Sequence, residues 1–131
     1  MQRIRTGIDL CDVRDLWERL IRSPALRDEI FSPAEIAYCE SCAHPAPHYA
    51  ARFAAKEAFA KALGLDLLGL ELWRVELVHS DERSRPRLEI SCEEIYTLVC
   101  ERLGTQSFEL DISVSHERDY AVASVVLLVM E

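Results

Sequence analysis

Apolar and polar positions along the chain follow a strand rhythm at both ends and a helical rhythm between them. From about Arg3 to Val13 the spacing reads as a strand, and Arg14 to Arg22 follows as a helix with Leu16, Trp17, Leu20 and Ile21 at helical spacing. Ser23-Pro24 ends that helix. Ser32-Pro33 opens a second, short helix with Ser32 as N-cap, Pro33 in first position and Glu35 one turn on, and His44-Pro45-Ala46-Pro47 breaks it. The strongest helical pattern runs from about His48 to Leu63. It is rich in Ala, carries Phe53, Phe59 and Leu63 among the small residues, and meets Gly64 in the usual C-terminal position. So many alanines let another group approach the helix backbone closely.

Leu65 to Gly69 reads as a loop. Leu70 to His79 and Arg87 to Ile90 alternate like two strands joined by the polar turn Ser80 to Pro86, and Glu93 to Leu103 is a helix stopped by Gly104. Phe108 to Ser115 and Tyr120 to Val129 are strands around the polar turn His116-Glu117-Arg118-Asp119, because β-branched and apolar residues dominate both. Strands at the two ends and helices between them predict an α+β architecture, a sandwich of mixed sheet and helix.

At 131 residues and 50% hydrophobic content, the chain suits one domain, residues 1–131, around one core. A net charge of -8 argues against generic binding to nucleic acid or to an anionic membrane, both of which need a basic surface. The longest apolar run, Val125 to Met130, is too short to span a bilayer, and the first residues have no apolar run of signal-peptide length, so a cytoplasmic location is expected. Five cysteines, at 11, 39, 42, 92 and 100, are odd in number and lie partly in apolar-periodic stretches, where a reduced Cys acts as a small hydrophobe.

Candidate chemistry sits in three separated segments. On the long helix Phe53, Glu57, Lys61 and Gly64 recur at steps of four, four and three, so one carboxylate and one ammonium share a face. An exposed intrahelical ion pair would account for them alone. Asp9, between Ile8 and Leu10 in the first strand, reads by itself as an edge-strand acid facing water. Brought beside Glu57 it would need a cation between the two carboxylates, and hard oxygen ligands together with phosphate are what magnesium prefers. His116 continues the alternation of Ile112 and Val114, whereas Ser113 and Ser115 fall on the opposite face, which disfavours a serine nucleophile paired with this histidine. By itself His116 is equally a turn histidine bonded to nearby backbone. Cys39, Cys42, His44 and His48 have spacings that can hold zinc, against the plainer reading of a helix end stiffened by two prolines.

Together, Gly7-Ile8-Asp9, Arg52-Phe53-Ala54-Ala55-Lys56-Glu57-Ala58-Phe59-Ala60-Lys61-Ala62 and Ser113-Val114-Ser115-His116 resemble the opening strand, long-helix signature and late strand of the holo-acyl-carrier-protein synthase family of phosphopantetheinyl transferases. The resemblance spans nearly the whole chain. It implies a single-domain α+β fold with a mainly antiparallel sheet on the long Ala-rich helix, and a homotrimer with active sites between subunits. It also implies a reaction, in which the phosphopantetheine arm of coenzyme A moves onto a serine of an apo acyl carrier protein or carrier domain, releasing adenosine bisphosphate.

Within that resemblance Asp9 and Glu57 hold Mg2+ against the coenzyme A pyrophosphate, Lys61 contacts phosphate oxygens, and His116 donates to a phosphate beside the nucleotide. Arg52, Lys56, Gly64 and Pro86 match positions at or near the coenzyme A site, and either Glu57 or a water on the metal fits the role of general base. The acidic carrier docks where Arg14, Arg19, Arg22 and Arg27 cluster; alternatively, Arg14, Glu18 and Arg22, four apart, pair on a solvated face. Two loops depart from the family pattern, Gly64 to Gly69, poorer in glycine, and Asp81 to Pro86, without the usual glycine and lysine. A carrier-binding protein that keeps the fold without transferring the arm is the alternative in a different functional class, and a zinc-binding module is a third.

Overall fold

In the computed structural model, which describes residues 1–65, 71–78 and 85–130, the chain opens with strand β1 (Gln2–Asp12) and continues through helices α1 (Val13–Arg22), α2 (Pro24–Ile30), α3 (Pro33–Ser41) and α4 (Pro45–Leu63). A 3-10 turn at Leu72–Arg74 leads into β2 (Val75–Val78), followed by β3 (Arg87–Ile90), α5 (Glu93–Leu103), β4 (Phe108–His116) and β5 (Tyr120–Met130). Two sheets result, one in the order β1-β5-β4 and a hairpin of β2 with β3. All the described pairings are antiparallel, with Gly7 opposite Val125, Asp9 opposite Ala123 and His116 opposite Ala121. The sheet, expected to be mainly antiparallel, is antiparallel in every pairing among the described residues.

Several boundaries differ from expectation for identifiable reasons. Pro24 starts α2 rather than only ending α1, because a proline at the first helical position loses an N–H that has no intrahelical acceptor anyway. The same reason lets α4 begin at Pro45, one turn before His48, with Pro47 still inside the first turn. The strand expected from Leu70 to His79, whose two end residues lie outside the described ones, begins only at Val75, because the backbone first turns at Leu72–Arg74 and the Leu72 carbonyl accepts from Lys56 Nζ at 2.8 Å. The loop expected after Leu65 and most of the turn from Ser80 to Pro86 lie outside the described residues.

Helix α4 is surrounded. Its alanines 50, 51, 54, 55, 58, 60 and 62 are all buried, as are Tyr49, Phe59 and Leu63, so it behaves as a core helix rather than an amphipathic surface one. It lies across the inward faces of β1 and β5, with α1 and α3 against its other sides. The approach to β1 is close enough that a Cβ on Gly7 would fall 1.9 Å from the Ala58 carbonyl oxygen and 2.7 Å from the Ala62 nitrogen. Only hydrogen fits there. The C-terminus of α4 is closed by Gly64 in the left-handed region, φ 68°, and by arginines: Arg102 Nε donates to the Leu63 carbonyl at 2.8 Å and its Nη2 to that of Gly64 at 2.9 Å.

A buried ion pair ties the remaining helices to α4. Ser32 and Glu35 form a reciprocal cap on α3, with Glu35 N–H donating to Ser32 Oγ and Ser32 N–H to Glu35 Oε1. The same Oε1 accepts from Lys56 Nζ at 2.5 Å, and Oε2 accepts from the Leu77 N–H at 3.2 Å. Lys56 Nζ also donates to the Ile30 and Leu72 carbonyls, both at 2.8 Å. Burial pulls the Lys56 ammonium down from its ordinary value while the Glu35 carboxylate opposes that. Removing one partner of such a pair strands a buried charge, at a cost of about 3–5 kcal/mol.

Gly7→Ala should destabilise the protein by about 3 kcal/mol or more, the upper end for overpacking, because both obstructing atoms belong to helix backbone and cannot rotate away. Urea unfolding measures it; a loss below about 0.5 kcal/mol, typical of a neutral surface change, would show that the strand and helix separate freely.

Candidate active site

Strand alternation puts Gly7, Asp9 and Cys11 on the inward face of β1, turned to α4. Although β1 is an edge strand, Asp9 does not face water: it is 7% exposed. Its Oδ1 accepts from Lys61 Nζ at 3.1 Å, and its Oδ2 is buried without a hydrogen-bond partner. Lys61 also donates to the Ile8 carbonyl at 3.1 Å, so its ammonium bridges strand and helix.

Glu57, one turn before Lys61, is half-buried, and its carboxyl is pushed up to about 7. Burial is the largest cause, followed by a hydrogen bond from protonated Glu57 to Asp9 and the charge of Asp9, while Lys61 and Arg19 pull the other way. The two acids, forty-eight positions apart, therefore share one space. A proton on Glu57 would reconcile them. A divalent cation would do the same, and the residues fit one: two carboxyl groups, one with an orphaned buried oxygen, are the small hard-oxygen set with which Mg2+ is held when phosphates and waters complete its shell. No group of three or more His, Cys, Asp or Glu side chains forms a metal cluster among the described residues.

Glu57 and Phe53 open onto a cleft of about 140 Å³ bounded by β1 and α1, with Asp15 and Arg19 at its side. Arg19 pairs with Asp15 at 3.3 Å, both side chains being more than half exposed. Arg14 and Arg22 are also exposed on α1, and Arg22 Nε reaches the Glu18 carbonyl at 3.4 Å. Arg27 is committed elsewhere, to Glu40 on α3 at 2.8 Å. Cys11 lines the cleft as a neutral thiol, pushed up to about 12 by burial and the charge of Asp9.

A second grouping lies toward the other end of α4. Arg52 is 3% exposed, donates through Nη1 to the His48 carbonyl at 3.2 Å, and lies 4.4 Å from the centre of the Tyr38 ring. Its Nε is buried without a partner, beside a cleft of about 170 Å³ between α3 and β2. His116, exposed at the end of β4, packs edge-on against His48 with 5.1 Å between ring centres. Gly64 and Pro86 stand apart from both groupings, at the end of α4 and directly before β3.

Lys56 is the correction. It is fully buried and its three N–H donors are taken by Glu35, Ile30 and Leu72, leaving none for a ligand. One residue on a helix is a rotation of about 100°, which carries Lys56 away from the face of Glu57 and Lys61. The zinc reading of Cys39, Cys42, His44 and His48 also lacks support: burial pushes the Cys39 thiol up to about 12, and Cys42 Sγ donates to the Tyr38 carbonyl at 3.3 Å. Sequence reasoning found the Ser32-Glu35 cap but not the second role of Glu35. An ionisable residue in an alanine run, such as Lys56, was the available sign of a buried partner.

Residues 5–125 match the model of the 4'-phosphopantetheinyl transferase superfamily. The chain is similar to the holo-[acyl-carrier-protein] synthase of Syntrophus aciditrophicus (strain SB), 42% identical over 124 residues, covering 93% of each protein. It is 40% identical over 126 residues to that of Geobacter sp. (strain M21), covering 93% of this chain and 95% of the relative. Among solved structures, the Chronobacterium ammoniagenes ACPS-CoA complex superposes with a TM-score of 0.85 at 28% identity, over 98% of this chain and 99% of that one.

The raised carboxyl has a measurable consequence in the metal-free protein. Below about 4.5, its ordinary value, Glu57 is protonated folded or unfolded; between there and about 7 the folded state holds more protons, so stability falls as pH rises, and above about 7 the loss is complete. Glu57→Gln, which imitates the protonated form, should melt a few degrees above the native chain near pH 8 and level with it near pH 4. Equal melting temperatures at both pH values would show that neither burial nor Asp9 raises the Glu57 carboxyl.

Proposed function

The chain belongs to the 4'-phosphopantetheinyl transferase superfamily, and from that premise we propose that it is a holo-acyl-carrier-protein synthase. It moves the phosphopantetheine arm of coenzyme A to an apo acyl carrier protein: a serine oxygen of the carrier attacks the phosphorus next to the pantetheine while its proton passes to Glu57 or to a water, the pyrophosphate bond breaks, and adenosine bisphosphate leaves. The convergence of Asp9 and Glu57 beside an orphaned buried oxygen carries this reading.

In the mechanism, Asp9 and Glu57 would hold Mg2+, which when bound would supply charge neutralisation at the pyrophosphate. Glu57 would serve such a metal as its ionised carboxylate. Lys61, more than half exposed and held by 3.1 Å contacts to the Asp9 carboxylate and the Ile8 carbonyl, exchanges these for a phosphate oxygen. Arg52, with an unpartnered Nε at a cleft, and His116 serve the nucleotide end. Phe53 and the flank of α1 border the side from which a carrier serine reaches Glu57.

An acidic carrier meets a chain of net charge -8, so attraction has to be local. Arg14, Arg19 and Arg22 supply it, since charges act over about one Debye length, ~8 Å at physiological salt. On the outer face of the sheet Ile4, Ile8 and Leu10 are 69%, 63% and 64% exposed, and Val126 adds to them from β5. An apolar band of this kind on a small protein supports self-association, and we assign it to a homotrimer. A cytoplasmic location is part of the same proposal; separately, no helix among the described residues is long and apolar enough to cross a membrane.

With Mg2+, coenzyme A and an apo carrier, intact-mass measurement should show one phosphopantetheine added to the carrier, and Asp9→Ala or Glu57→Ala should slow this by at least about a hundredfold with the fold retained by circular dichroism. A carrier that binds the native chain and stays unmodified would favour the non-catalytic homologue; native turnover in either variant would remove that residue from the site. Arg19→Glu with Arg22→Glu should raise the carrier KM about tenfold and leave that for coenzyme A nearly unchanged. Equal effects on both constants would count against docking at α1.

A further inference from the structure

We propose that His48 is a positioning residue for the nucleotide end of the coenzyme A site, acting through Arg52 and His116; this rests on the function proposed above. The two groups assigned to that end come from different elements, Arg52 from the middle of α4 and His116 from the end of β4, and no hydrogen bond joins them directly among those described. His48 connects both. Its backbone carbonyl accepts from Arg52 Nη1 at 3.2 Å, and its ring packs edge-on against His116 with 5.1 Å between centres. On its other side the same ring meets Tyr38 at 5.8 Å, edge-on again, and Tyr38 is the platform under the Arg52 guanidinium, 4.4 Å away.

The half-buried imidazole is thus a wedge between Tyr38 and His116. It sets how far the histidine at the strand end stands from the guanidinium on the helix. An exposed residue at the end of a strand has little else to hold its ring, whereas aromatic edge-to-face contacts favour one orientation. Because the bond to Arg52 is made by the backbone, shortening the side chain removes the wedge and leaves that bond in place. The contact is one of ring shape, so another flat ring should serve.

Steady-state kinetics at saturating apo carrier test this, with His48→Ala, His48→Phe and His116→Ala compared. His48→Ala should raise the KM for coenzyme A about fivefold with kcat and the carrier KM nearly unchanged, and weaken binding of free adenosine 3',5'-bisphosphate by calorimetry to the same degree; His48→Phe should restore both to within about twofold. If His116→Ala raises the coenzyme A KM and His48→Ala does not, His48 positions nothing. If His48→Phe is as poor as His48→Ala, the imidazole acts by hydrogen bonding and the wedge is wrong. Should His116→Ala leave the coenzyme A KM untouched, the placement of the nucleotide end itself fails and this inference falls with it. Parallel losses in kcat and both KM values would reduce His48 to a structural role.

Discussion

A missing side chain governs this fold. Gly7 lets β1 press against the backbone of α4 at Ala58 and Ala62, and with anything larger the strand would have to stand off. That approach is what brings Asp9, two residues along and on the same face, within reach of Lys61 and Glu57. The alanines of α4 make the complementary allowance, since a helix of larger residues would hold the sheet away. Close packing here serves chemistry as much as stability: two carboxyls meet only because two backbones do.

The other flank of α4 is organised by charge. Lys56 and Glu35 meet in the core, and each uses its remaining hydrogen-bonding capacity on backbone groups: Ile30 at the end of α2, Ser32 at the start of α3, Leu72 in the 3-10 turn and Leu77 in β2. Four segments are thereby registered against one helix. An apolar pair of equal volume could fill the space but would not specify which carbonyl lies where. The consequence reaches the ligand side, because α3 carries Tyr38 and β2 borders the cleft beside Arg52.

These two flanks treat charge in opposite ways. Lys56 and Glu35 are fully matched, so they hold structure and offer nothing to a ligand. Asp9 and Glu57 are left mismatched, one oxygen without a partner and one carboxyl carried up to about 7, and this unmet demand is what a cation can satisfy. Neighbouring residues on one helix thus divide the work by face.

Much of this was legible along the chain. Helical spacing aligned Glu57 with Lys61, alternation set His116 opposite Ser113 and Ser115, and α5 and β3 ran as their patterns foretold, because local periodicity reports directly on which face a residue occupies. Pro24 and Pro45 misled, since proline ends one helix and begins the next with the same ring, and only the path of the backbone says which. The sequence by itself determined the elements, the family likeness and which acids and bases were available. Tertiary structure alone decided that Asp9 turns inward, that Lys56 is consumed by Glu35, and that His48 meets His116 across sixty-eight positions. Those are distances between segments that share no local period, and they exist only once the backbones have packed.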